Sequence, residues 1–514
     1  MKKMNKYVLL IFGVFLFTSC ELDDNVDPNN PGTEQITARQ RLTAAQTSPY
    51  SVQAEQMNEL GNVWMNSWAG NIYYFGNPAV DETQLILGTN FYSSIWNSMY
   101  LSVGKLQAII DSPAASELPY HTAIAKILKS YYMQYLVDLY GDLPYEEAFE
   151  EGENVAPAYT NDEEVYAALV DELIEANDLI SNSTPSEANK VFSTEDVMFG
   201  GNMEQWERFA NTVLLKYAVR LSKTSNSKGV EVRNKILPYL SGKEFIIDDV
   251  KIQPGYNASS SESQNPLYRG FGLRTYTGSV NTYGWRLYRA SSHMVETLKG
   301  STGTIAEGIY DDRISTIFGT PFRGGDYRGL IQGAPKEDLS LNDLNFSGFG
   351  GFFEENASVG STVDGVVMML AEAELLQAEA SEVFPTYFGN GEMHFNNAVQ
   401  ASFDFAGLGD SAADYLSAIN DKDGVGWVGS ADKIAAIQYQ RWIALTNFNA
   451  METFINYKRT GYPETPLALT ATKPNKPYRL MYPSTEYTSN SSNVPNVSAD
   501  QCFSINEFTP FWYN

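Results

Sequence analysis

YYMQYLVDLYGDLPYEEAF, residues 131–149, decides how the chain is read. Tyrosines crowd it, glutamates stand near its end, and a glycine and a proline interrupt its middle. It is either an acidic loop carrying catalytic carboxylates or the hinge between two helices. The residues before it settle the choice. Ile124, Ile127, Leu128, Tyr131, Tyr135 and Leu139 recur at spacings of three and four, and Lys126, Lys129 and Gln134 fill the other face. That pattern is an amphipathic helix over 121–140. Gly141 stands where a left-handed residue ends a helix. Pro144 suits the first turn of another, which puts Glu146 and Glu147 where acids complement the helix dipole. The stretch reads as helix, tight turn and helix start, with structural carboxylates.

The same periodicity recurs outward from this point. Val165, Leu169, Leu173, Ala176 and Ile180 stripe a helix over 162–181. Asn202 and Gln205 have capping-box spacing ahead of a stripe of Trp206, Phe209, Val213, Tyr217 and Leu221. Residues 363–380 read as a helix in which Ala373 and Ala380, seven apart, allow close helix contact, and 431–458 reads as one long helix. Between 223 and 362 Gly, Ser, Asn and Tyr dominate, and the last forty residues are irregular too; long irregular connections in a compact domain are usually functional. The expected architecture is mostly α, with tetratricopeptide-like helix pairs in one large domain, long irregular loops and little β. Helix pairs of that size (about 34 residues) fit the first half, although the repeat's Trp-Leu-Gly signature is absent.

The chain opens with MKKMNKYVLLIFGVFLFTSC. Lys2, Lys3 and Lys6 precede the apolar run Val8 to Phe17, which is too short to span a membrane (about 20 residues) and has the length of a signal-peptide core. Small residues before Cys20 resemble a bacterial lipoprotein processing site. The expectation is a signal peptide over 1–19, acylation of Cys20, an acidic Asn/Pro-rich tether over 20–35 and a single binding domain over 36–514. Stable anchoring takes more than one lipid chain, so a multiply acylated Cys20 holds the protein on a membrane without a spanning helix. Cys502 is then left without a disulfide partner and reads as a small core hydrophobe.

Composition narrows the chemistry. Removing residues 1–19, with their three lysines, takes the formal charge from −27 to −30. Such a surface repels nucleic acid and anionic headgroups. Aromatics are 13% of residues, with 32 Tyr and 8 Trp, rings that serve a core or stack on sugars and peptides. His121, His293 and His394 are the only histidines, and HExxH, GxSxG, P-loop and GxGxxG patterns are absent, so a metal or nucleophile enzyme has no recognisable parts here. No twelve-residue calcium loop is present either, and no cofactor is expected.

Five segments, in order, resemble the SusD/RagB-like nutrient-binding outer-membrane lipoproteins of Bacteroidetes. They are Cys20 followed by Glu21, Asp23 and Asp24; LVDLYGDLPYEEAF at 136–149; NMEQWERFANTVLLKYAVRLS at 202–222; MLAEAELLQAEA at 369–380; and RWIALTNFNAMETFINYKRTGYP at 441–463, followed by YRLMYPSTEYTSNSSNV. The resemblance implies a helical, tetratricopeptide-like, non-catalytic protein. It implies a lipid anchor on the outer membrane facing the cell surface, a SusC-like TonB-dependent transporter as partner, and an oligosaccharide or peptide as ligand. Lys458, Arg459 and the YGDLPY turn look like structural signatures of that family.

Ligand surfaces in such proteins are built from variable loops, so candidates come from side-chain chemistry. In NVWMNSWAGNIYYF, 62–75, Trp64 and Trp68 are four apart, as on one helical face, with Asn71, Tyr73 and Tyr74 close by. The irregular middle offers Tyr268, Tyr283, Trp285, Arg286 and Tyr288, and GGDYRG adds Tyr327 and Arg328. Trp68, Tyr73, Tyr74, Tyr283 and Trp285 are expected to line one pocket. Alternatives are a peptide-binding member of the same family, a secreted all-helical glycoside hydrolase, which needs two carboxylates about 5–9.5 Å apart, and a scaffold that binds only protein.

Overall fold

A computed structural model describes residues 37–76, 78–150 and 154–513. The signal peptide, Cys20 and the tether lie outside the described residues. Eleven of the helices among the described residues carry the architecture: α1 Ala38–Val52, α2 Asn58–Trp64, α3 Ser93–Ile110, α4 Pro119–Tyr140, α5 Asp162–Asn182, α6 Met203–Arg220, α7 Ser227–Tyr239, α8 Leu370–Val383, α9 Gly391–Phe405, α10 Lys433–Leu445 and α11 Ala450–Thr460. Neighbours along the chain pack as pairs, α3 on α4, α4 on α5, α5 on α6 and α8 on α9. Contacts of α6 with α8 and of α2 with α11 tie the first half to the second. Among the described residues the β strands form three antiparallel two-stranded ladders: β1 Trp68–Gly70 with β5 Tyr288–Ala290, β2 Leu143–Pro144 with β3 Tyr159–Thr160, and β4 Val250–Ile252 with β6 Gly365–Met368. Three isolated bridges occur besides. The mostly α, one-domain expectation holds.

Local chemistry explains the helix ends. Pro119 opens α4, where its missing N–H is no loss. Asn202 caps α6 by accepting from the backbone N–H groups of Glu204 and Gln205. Asp162, Glu163 and Glu164 occupy the first turn of α5. Lys458 and Arg459 fill the last turn of α11 before a left-handed Gly461.

Four expectations need correction. Pro144 does not begin a helix. Gly141 takes φ +74° and ψ −132°, which turns the chain so that the buried Leu143 pairs with Thr160. Glu146 and Glu147 therefore lie in an open turn, where the Glu147 carboxylate accepts from the Asn154 side chain at 2.7 Å and the Ala158 N–H at 2.8 Å. The polar face of α4 is not a solvent face: Gln134 is enclosed, and Lys129 meets Glu172 of α5 at 2.7 Å. The helix expected over 363–380 is strand β6 followed by α8. The single helix expected over 431–458 is α10 and α11, separated at Asn447, which has φ +74°.

That break is held by buried amides. Asn58 of α2 donates to the Asn447 carbonyl at 2.7 Å, and the Asn447 N–H donates to Asn62 at 3.2 Å. Gly61 lies between these two; a Cβ there would stand 2.3 Å from the Ala450 carbonyl carbon, so only glycine lets α2 sit on the start of α11.

Charged side chains, dry and paired, bind the helices from within. Lys216 of α6 meets Glu372 of α8 at 3.2 Å and Glu452 of α11 at 2.8 Å. Arg220 meets Glu452 at 2.7 Å and Asp138 of α4 at 3.2 Å. Glu379 of α8 takes Arg441 of α10 at 3.2 Å and Arg459 of α11 at 2.5 Å. Burial raises the Glu452 carboxyl, but Arg220 and Lys216 outweigh it and bring it down to about 2. Removing one partner of such a cluster strands the others. Glu452→Gln is expected to cost about 3–5 kcal/mol at neutral pH. Because the native carboxyl titrates below its unfolded value of about 4.3, the contribution is complete above that value and fades as pH falls toward 2. Denaturant melts of both proteins across this range should show the gap closing with acid; a gap independent of pH would contradict the ion-pair assignment.

Candidate functional site

The two remote segments singled out in the sequence meet in the β1–β5 ladder, with Trp68 opposite Ala290, Ala69 opposite Arg289 and Gly70 opposite Tyr288. Alternation along a strand sends neighbouring side chains to opposite faces, and here one face is core. Trp68 is fully buried among Phe271, Tyr288 and Phe349, with ring centroids 4.9, 5.5 and 4.4 Å away. Its indole N–H donates to the Asn447 side chain at 2.7 Å. The ladder is therefore bolted to the α10–α11 break.

Beyond Gly70 the chain turns. The Asn71 N–H donates to the Leu287 carbonyl at 2.9 Å, its side chain to the Arg286 carbonyl at 2.6 Å, and its own carbonyl accepts from Phe75 N–H at 2.9 Å. This turn lifts Tyr73, Tyr74 and Phe75 to the surface. The Arg286 guanidinium lies 3.7 Å from the Tyr74 ring centroid, Tyr74 and Phe75 meet edge to face at 4.8 Å, and Phe75 is 6.1 Å from Tyr283. Tyr283 is 81% exposed and Tyr74 40%. On the other side Tyr73 packs on Phe346 at 4.7 Å. Asp343 fixes the arrangement: Arg286 reaches it at 2.6 Å and the buried Arg289 at 3.1 Å. Burial pulls Arg289 down to about 10 against the pull of Asp343, so it stays charged at neutral pH. The result is a ring platform on two short loops, each tied to the core.

The ten expected ligand residues divide sharply. Tyr73, Tyr74, Tyr283 and Arg286 come together at this surface. Six do not reach it. Trp64 ends α2 instead of sharing a helical face with Trp68, and is buried against Phe91 at 5.7 Å and Phe454 at 4.8 Å. Trp68 is the anchor just described. Asn71 spends its amide on the turn. Tyr268 is enclosed, donating to the Glu355 carbonyl at 2.6 Å. Trp285 is 2% exposed, with Arg289 4.4 Å from its ring centroid and Phe322 edge-on at 5.3 Å; a Cβ on Gly348 would be 2.9 Å from it. Tyr288 is buried and donates its hydroxyl to Glu59. The expected five-residue pocket is thus a surface platform of three of its members, with both tryptophans beneath it as packing. Phe75 and Phe322, the latter 54% exposed, were missed; their signal was adjacency to Tyr74 and position in a Gly-rich loop. Of the weaker pair, Tyr327 is half-buried and Arg328 exposed beside Phe346.

A groove of about 1180 Å³ lies elsewhere, along α1 and α3. Lys105, Leu101 and Phe149 line it, and it runs to Glu150 beside residues 151–153, outside the described residues. Its lining carries two rings, Tyr100 and Phe149, whose centroids are 6.0 Å apart. Among the described residues, no group of three His, Cys, Asp or Glu is placed to hold a metal, and no helix is long and apolar enough to cross a membrane.

The chain is a helical frame that displays surface rings on ladder-anchored loops. Residues 28–483 match the SusD-like family model described as "Starch-binding associating with outer membrane", and the chain belongs to that family. Similar solved structures include a chitin-binding SusD homolog from Flavobacterium johnsoniae (22% identity, 92% of this chain and 98% of that one, TM-score 0.70). A SusD homolog from Parabacteroides distasonis covers 94% of this chain and 98% of its own at 17% identity, TM-score 0.71. One from Bacteroides fragilis NCTC 9343 covers 88% and 95% at 19% identity, TM-score 0.67. No curated protein sequence matches the chain.

The division between platform and anchor is measurable as stability. Trp68→Ala and Trp285→Ala are each expected to cost about 3–5 kcal/mol, and Tyr283→Ala to stay within about 0.5 kcal/mol of the parent. Urea denaturation of the three variants checks this; a Tyr283 variant as unstable as the tryptophan variants would contradict the placement.

Proposed function

We propose that this protein captures an oligosaccharide or glycan fragment at the outer surface of the outer membrane and passes it, chemically unchanged, to a SusC-like TonB-dependent transporter, with acylated Cys20 as its membrane anchor. The observation that carries the reading is the platform of Tyr283 and Tyr74, both exposed, with the half-buried Phe75 between them, whereas most aromatic side chains among the described residues are packed inside. Exposed rings that the fold holds still are costly to leave in water and serve a ligand with apolar faces and a polar rim, which describes a sugar ring. Membership of a family described as starch-binding supports a glycan over a peptide. The chemistry of the loops supports binding over hydrolysis: the Asp343 carboxylate under the platform is committed to two arginines, where hydrolysis needs a pair of carboxyl groups free to act on the substrate.

Calorimetry against a glycan panel that includes chitin oligosaccharides tests the assignment. Tyr283→Ala and Tyr74→Ala are each expected to weaken binding by about tenfold or more, the scale of a hot-spot ring, with no release of reducing ends from any glycan. Unchanged affinity in both variants would remove the platform as the site, and turnover at enzymatic rates would remove the capture role. Fractionation of cells expressing Cys20→Ser should move the protein from the membrane to the soluble fraction; a variant still in the membrane fraction would contradict the anchor.

A further inference from the structure

Acids exceed bases by 27 in this chain, and most of its cations find a carboxylate. The platform's loops depart from that pattern. Among the described residues Arg323, Arg328 and Lys336 make no ion pair and no side-chain hydrogen bond, and all three are exposed. They surround the rings. Arg328 lies 4.9 Å from the Phe346 ring centroid and Lys336 lies 5.1 Å from that of Tyr73, while the Arg323 N–H donates to the Leu344 carbonyl at 3.0 Å, beside Asp343. Arg286 and Arg289 share the single carboxylate of Asp343, so that cluster is itself cationic. The neighbouring acids offset only part of the set. Asp326 is committed to Lys299 at 2.6 Å. Asp338 accepts from the Ser340 N–H at 2.9 Å and hydroxyl at 2.6 Å, and those bonds together with the charge of Arg328 hold it in its anionic form. Glu337 and Asp338, both exposed, are two counter-charges against the three cations of this loop, and the Arg286, Arg289 and Asp343 cluster adds a further net positive charge.

Cations without a carboxylate occur elsewhere too, as at Lys105, which donates to the Ser48 hydroxyl, but here three lie along one loop beside the rings. The three, with Lys336 against Tyr73 and Arg328 against the buried Phe346 beneath it, point to a ligand that brings its own negative charge. We propose that the platform takes an acidic glycan, one whose sugar units carry an anionic group, with sugar faces on Tyr283 and Phe75 and anionic groups on Arg328, Lys336 and Arg286. The inference rests on the capture reading above and narrows its substrate class. Arginine meets carboxylate or sulfate oxygens with paired N–H donors, and lysine meets them as a point charge. A guanidinium or ammonium already held over a ring face has lost less freedom than one in solution when the ligand arrives. The rest of the molecule repels a polyanion, so this loop is where such a chain would make contact, and its charges would set the register of the glycan on the rings.

Affinity electrophoresis and calorimetry of the intact mature protein test this with four probes: polygalacturonate for carboxylates, dextran sulfate for sulfates, a chitin oligosaccharide as neutral glycan and poly-L-glutamate as acidic peptide. At least one acidic glycan is expected to bind tighter than the neutral one, and more weakly as salt rises. Arg328→Gln combined with Lys336→Gln should reduce that affinity about tenfold or more and leave the thermal midpoint unchanged, since both side chains are exposed. The difference between the two acidic glycans assigns the anionic group. The proposal falls if both acidic glycans bind no better than the chitin oligosaccharide, or if the double variant binds them as the parent does. It also falls if poly-L-glutamate outcompetes them, which would make the site a peptide site. If Tyr283→Ala abolishes binding of the neutral glycan while the charge variants change nothing, the charge inference alone has failed and the capture role stands; if no glycan binds the parent at all, both have failed.

Discussion

One left-handed residue organises the molecule. Asn447, at φ +74°, divides what would be a continuous helix into α10 and α11, and its side chain receives the Trp68 indole N–H while donating to the Ile317 carbonyl at 2.8 Å. An asparagine tolerates this conformation better than most residues and carries one donor and one acceptor that can both be used. The amides of Asn58 and Asn62 hold its backbone from α2. Three parts distant in sequence are thereby fixed at one point: the start of the chain's helical body, the ladder that bears the loops, and the C-terminal helix pair. The loops at the surface are ordered because the residue below them is buried and fully bonded.

The ion pairs among α4, α6, α8, α10 and α11 play a complementary part. Buried ions gain little net stability over well-packed apolar side chains, because desolvation offsets most of their attraction. Their effect is on geometry: Arg220 satisfies Asp138 and Glu452 together only if α4, α6 and α11 stand in this one arrangement. A rigid body of this kind suits a protein that holds a ligand on exposed rings, since rings already in place need no ordering on binding.

Much of the helical frame was legible in the sequence, because stripes at spacings of three and four survive in α4, α5 and α6. The errors lay where tertiary contacts override local pattern. The residues after Leu445 keep an apolar periodicity through a break that depends on Asn58 and Asn62, hundreds of positions earlier. The positions before Leu370 alternate too weakly to distinguish β6 from helix without its partner β4. The site was half legible. Proximity of the 62–75 and 268–288 segments was anticipated from ring chemistry. Burial was misjudged because Trp285 and Tyr268 sit in Gly- and Ser-rich sequence that reads as open loop, yet Gly348 and Gly360 are the surfaces they pack against. Glycine-rich sequence here marks close packing around large rings. The unpaired state of Arg328 and Lys336 had no sequence signal, since it depends on where the acids of the folded chain do not reach.

The central claim is that ligand rests on the platform of Tyr283, Phe75 and Tyr74, above a ladder anchored through Trp68. A crystal structure of the protein with a saturating bound oligosaccharide measures this directly. The account predicts sugar rings against Tyr283 and Phe75 with the Trp68 indole still bonded to Asn447. Sugar seated instead in the groove along α1 and α3, with the platform bare, would contradict it.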